Sequence, residues 1–111
     1  MNTVIAATKV LIEPAGEPPI EVTLEIGTPY QVGADPDEWA CPVSLVPLYK
    51  KLHDAHAGDP FQALCLASSL ALDLLHGVKE KGGSVLLAPG EPFPFEAYAF
   101  GSAVRGGNGG A

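Results

Sequence analysis

The sequence predicts an α+β fold, an antiparallel sheet of three to five strands packed on one long apolar helix over about residues 59–81. Three observations predict it. Residues 20–26 alternate apolar and charged or polar side chains, the period of a strand with one buried and one wet face. Asp59-Pro60-Phe61-Gln62 stands ahead of a long apolar run, as at a capped helix start. Apolar residues make up 47% of the chain and charged residues 17%, a balance that favours a packed core over disorder.

The first strand is expected from Val4 to Ile12, with Val10 and Ile12 turned inward. Pro14-Ala15-Gly16-Glu17-Pro18-Pro19 then makes a turn-rich connection to Ile20, Val22, Leu24 and Ile26, so the two strands form a hairpin. Residues 27–38, with Pro29, Gly33 and Pro36, read as a polar loop. A third strand is expected over Trp39–Leu45, where Trp39, Cys41, Val43 and Leu45 share a face. Pro42 has no N–H to donate, which puts that strand at a sheet edge or turns that position outward. Residues 47–57 fit a short helix or a fourth strand equally well.

In the helix Asp59 takes the N-cap, Pro60 the first helical position, and Lys79 and Lys81 the last turn before a Gly82-Gly83 stop. Gln62, Ser69, Asp73, His76 and Glu80 fall in one narrow polar stripe at 100° per residue. The remaining surface is almost all apolar, wider than one sheet can cover. The sector holding Ala63, Leu66, Ala67, Leu70 and Leu74 needs another cover, either the aromatic stretch 92–100 or a second copy of the chain. Leu66, Leu70 and Leu74 are thus the candidate interface of a homodimer. Ser84–Ala88 reads as a short strand. A single domain is expected over 1–100, followed by a disordered tail over 101–111 that holds five glycines.

Thirteen acidic and six basic residues give a net charge of -7. Neutralising phosphates needs clustered Lys and Arg, so nucleic acid and anionic membrane surfaces are not expected partners. A basic protein is a possible one. Two cysteines, Cys41 and Cys65, do not make a secreted disulfide framework, and residues 1–9 lack the basic start and apolar run of a signal peptide. The apolar run Phe61–Val78 carries Asp73, whose burial at the centre of a membrane span costs about 3 kcal/mol. No membrane span and a cytoplasmic, reducing location are expected.

Chemistry-bearing residues gather in one place, His53-Asp54-Ala55-His56-Ala57-Gly58-Asp59. Two histidines three apart on a helix can share a metal, with Asp54 or Asp59 as a third ligand. Against that, a fourth ligand is missing and Asp59 is spent on the cap, so no metal and no cofactor are expected. His53, Asp54 and His56 stay as a weak polar cluster. Cys41 and Cys65 each lie in an apolar face without a neighbouring cysteine, and read as inert thiols. Asp35-Pro36-Asp37-Glu38 lacks the glycine and spacing of a calcium loop. Trp39 reads as a core residue.

Trp39-Ala40-Cys41-Pro42-Val43, followed by Gly58-Asp59-Pro60-Phe61-Gln62-Ala63-Leu64-Cys65-Leu66-Ala67, resembles a group of short bacterial proteins classed as a domain of unknown function. The resemblance runs from about Val4 to Phe100. It implies a bacterial, intracellular origin. It implies no activity and no functional residues.

Two functions from different classes fit these features. The first is a small non-catalytic binding or protein-interaction module, homodimeric, in its specific form an acidic immunity or antitoxin protein for a basic partner. The alternative is a small enzyme or ligand-binding protein that uses His53 and His56.

Overall fold

The structure, a computed structural model, describes residues 3–49 and 52–98. The expected disordered tail over 101–111 lies outside them. The fold is α+β: two antiparallel sheets, of five and three strands, with one long helix packed against both.

Strand β1 (Val4–Glu13) and β2 (Ile20–Gly27) form the expected hairpin, with Val10 opposite Val22 and Ile12 opposite Ile20. Val10, Ile12 and Val22 are buried, and the intervening glutamates face outward. Beyond this hairpin the chain departs from a single sheet. The stretch 27–38, expected as a loop, contains β3 (Tyr30–Ala34) and the first residues of β4 (Asp37–Cys41). The expected strand Trp39–Leu45 is divided at Pro42 into β4 and β5 (Val43–Val46), which belong to different sheets. The edge expectation holds for β5 only: β4, which carries Trp39 and Cys41, is the central strand of the small sheet.

Pro42 explains the division. Its nitrogen cannot continue a ladder, while its carbonyl accepts from Gly27 N at 2.9 Å. Gly27 ends β2, and a Cβ added there would stand 2.9 Å from Pro42 Cγ. The chain therefore changes sheets twice at one point, after Gly27 and at Pro42, and only glycine permits the two crossings to touch.

The ambiguous stretch 47–57 supplies a third strand to the small sheet, β6 (Ala55–Ala57), which pairs with β4. Strand orders are β5-β2-β1-β7-β8 and β3-β4-β6, where β7 spans Ser84–Ala88 and β8 Glu91–Pro92.

Helix α1 (Pro60–Glu80) starts where expected. Asp59 Oδ1 accepts from Gln62 N at 2.8 Å, and Gln62 Oε1 accepts from Gly58 N at 3.1 Å. At the other end Gly83 N donates to Val78 O at 2.9 Å, with Gly82 in the left-handed region at φ 92. By length and composition α1 is apolar enough to cross a membrane. In this fold its stripe Ala63, Ala67, Ala71 and Leu75 is buried against the sheets, and Gln62, Ser69, Asp73, His76 and Glu80 face solvent.

The wide apolar arc has a cover that the single-sheet expectation omitted. Cys41, Ile26 and Val43 pack on Ala63, Ala67 and Ala71, with Trp39 and Leu70 partly buried beside them. Val10, Ile12, Val22, Leu45 and Val85 pack around Leu75, with Leu72 and Leu74 alongside. The aromatic stretch completes this second cluster through Phe93 and Phe95, both buried, and the short 3-10 turn Phe95–Tyr98 follows. So Ala63 and Ala67, expected to need an outside cover, lie at the heart of the core.

Candidate functional site

The polar cluster resolves into separate surface pairs. His56 Nδ1 lies 2.7 Å from Glu38 Oε2, both side chains 52% exposed. β6 puts His56 opposite Ala40, and Glu38 sits two residues away on the same face of β4. Asp54 instead accepts a hydrogen bond from the Tyr30 hydroxyl, which raises the phenol pKa above its ordinary value; burial and the carboxylate charge push the same way. His53 is exposed, and no hydrogen bond joins it to either pair. Among the described residues no group of three or more His, Cys, Asp or Glu is placed to hold a metal.

The two cysteines are apart and unpaired. Cys41 is fully buried, its thiol directed at Gly27 O at 3.3 Å. Burial first and the Asp54 charge second push that thiol up, away from the reactive thiolate.

The homodimer candidates are divided too. Leu66 is 44% exposed, whereas Leu70 and Leu74 are partly buried against the core. Of the three, Leu66 is the most exposed.

An apolar hollow lies elsewhere. β1 is ten residues long, yet β7 pairs with it only at Leu11, Ile12 and Glu13. Residues 4–10 therefore have β2 on one side and, among the described residues, no strand on the other. Val4 is 47% and Ile5 50% exposed there.

Beside this open edge runs an apolar groove of about 400 Å³. The inner faces of β1 and β2 form its floor, through Ala6, Thr8, Leu24 and Ile26. Ala71 and Leu72 of α1 make one wall; Phe93, Ala97 and Tyr98 make the other. Ser68 also lines it, but its hydroxyl donates to Leu64 O at 3.0 Å, so it offers no polar anchor.

An aromatic chain holds the second wall. Phe93 stacks on Tyr98 at 4.6 Å and meets Phe95 edge-on at 4.9 Å. Phe95 in turn stacks on His76 at 3.8 Å, with Lys79 Nζ 5.2 Å from its centroid. Contacts of these kinds contribute on the order of 1 kcal/mol each.

The sequence reading did not single out Ala6, Ala7, Thr8, Leu72 or Tyr98. A signal was there. Ala6-Ala7 is a poor strand sequence by intrinsic preference, and small side chains in mid-strand leave space above the sheet.

No family model, no curated protein and no solved structure matches this chain.

Proposed function

We propose that this chain is a small non-catalytic protein-interaction module, of the acidic immunity or antitoxin kind that restrains a basic partner. The observation that carries the reading is the groove: an unpaired backbone edge beside a mostly apolar trough with no charged side chain among its lining residues. Small-molecule sites usually set a few convergent polar groups among apolar walls. An exposed strand edge beside an apolar trough is the pattern of main-chain recognition between proteins. The charge of -7 supports a basic partner and would speed its encounter. Two unpaired thiols suit the proposed cytoplasmic, reducing setting.

The rival reading, a small enzyme or ligand-binding protein built on His53 and His56, draws only on the exposed His56–Glu38 pair. A homodimer through Leu66, Leu70 and Leu74 remains a second proposal, supported by exposed Leu66.

The test is co-expression with the products of the adjacent genes, followed by purification at low and high salt. A stoichiometric complex with a basic protein, formed faster at low salt, is the expected result. A chain that forms no such complex and instead turns over or binds a metabolite of a neighbouring operon would overturn it.

A further inference from the structure

We infer that the open edge of β1 and the adjoining groove take a single extended strand from a basic partner, one that alternates large apolar side chains with Lys or Arg. This deepens the proposed function and rests on it.

Three features define the occupant. Residues 4–10 of β1 offer main-chain donors and acceptors on one side with no strand partner among the described residues. Unmet main-chain groups at a sheet edge are satisfied by another strand, running in the plane of the sheet. Such a strand would continue β7's row, with every second side chain on the inner face of the sheet. On that face lies the groove, so those inward side chains meet Leu24, Leu72 and Tyr98.

The groove's size selects against a second copy of the chain. A two-fold copy of β1 would turn Ala6 and Thr8 inward, and methyl-sized groups leave about 400 Å³ largely unfilled. Leu, Ile or Phe at alternate positions fills it. A second copy also brings another charge of -7 to the contact.

The acidic balance of the chain specifies the rest. Glu25 lies between Leu24 and Ile26, Asp73 follows Leu72, and Glu96 precedes Ala97, so three carboxylates adjoin lining residues. Lys9, next to Thr8, is the one cation in an equivalent position. On the outer face an added strand would lie beside Ile5, Ala7 and Lys9 of β1, with Glu25 one strand further in, opposite Ala7. Basic outward residues beside Ile5 and Ala7, clear of Lys9, match Glu25 and the net charge of -7.

The probe is a synthetic peptide of alternating Leu/Phe and Lys, with three comparators: Glu in place of Lys, N-methylated backbone at alternate positions, and the same composition in scrambled order. Binding is read by amide NMR titration of the full chain and by hydrogen exchange of β1 in the complex. The alternating basic peptide is expected to bind, to slow exchange of alternate β1 amides in 4–10, and to lose at least tenfold in affinity on N-methylation. Ala6→Trp, which plugs the groove from an exposed position, is expected to abolish binding. Glu25→Lys/Glu96→Lys is expected to reverse the preference towards the Glu peptide. An unchanged amide spectrum outside the substituted sites shows that each variant folds.

Equal binding of all four peptides, binding without β1 protection, or β1 protection that appears with protein concentration alone would overturn the inference. Failure here is separable from failure of the proposed function. A basic partner found by co-expression that leaves β1 exchange untouched preserves the function and removes this site.

Discussion

At Asp59 one carboxylate oxygen accepts the Gln62 amide hydrogen that the first helical turn leaves without an intrahelical partner. Asp59→Ala is expected to destabilise the fold by about 1 kcal/mol, while Asp59→Asn, which keeps the acceptor, costs less. Chemical denaturation checks both, and an unchanged midpoint for the alanine variant would contradict the cap. Tyr30 offers a test by pH. Its folded pKa is raised, so the Tyr30–Asp54 link is intact below the unfolded tyrosine value of about 10 and is lost as pH rises through the higher folded value. Of the three tyrosines one should ionise late in an absorbance titration, and Tyr30→Phe should remove that late component. Cys41 is expected to resist alkylation in the native protein and react once denatured, because it is buried and its thiol is held protonated. Mass spectrometry of the modified peptide reads this directly.

Elements differ in how much of them local sequence carries. The β1–β2 hairpin and α1 were legible because each has a strong period and marked ends: alternation with a Pro-Gly turn in one, a cap and glycine stop in the other. β3 was not, since Tyr30-Gln31-Val32-Gly33-Ala34 is short, interrupted by Gly33, and set among prolines. The division at Pro42 was half legible. The missing N–H is a local fact, but the switch of sheets depends on Gly27, fifteen residues away, meeting Pro42 in space. Gly27→Ala puts a methyl 2.9 Å from Pro42 Cγ and should cost about 1–3 kcal/mol as the two crossings part. Thermal unfolding measures it, and a variant as stable as the parent would mean that the crossings do not touch. The alanines of α1 carry the same lesson. Their apolar character was visible, but their role, letting a helix lie close on two sheets, follows only from the tertiary arrangement.

Over the whole molecule, the lines that matter for function are set by mismatch between elements. β1 outruns β7 by seven residues because β7 pairs it only at Leu11–Glu13, and small residues at Ala6 and Ala7 leave the groove beside it open. No motif marks such a site, so the sequence pointed to the histidines, where reactive side chains cluster, and away from an edge made of backbone. Of the candidate site that was legible, Asp54 goes to Tyr30 of β3, His56 to Glu38 of β4, and His53 to neither, a division that only the three-stranded sheet creates. The central claim is the open edge, and amide hydrogen exchange of the free full-length chain tests it most directly. Along residues 4–10, amides directed at β2 should be protected and the alternate ones should exchange fast, while Leu11–Glu13 are protected throughout. Uniform protection from Val4 to Glu13 would show the edge already covered and would contradict the account.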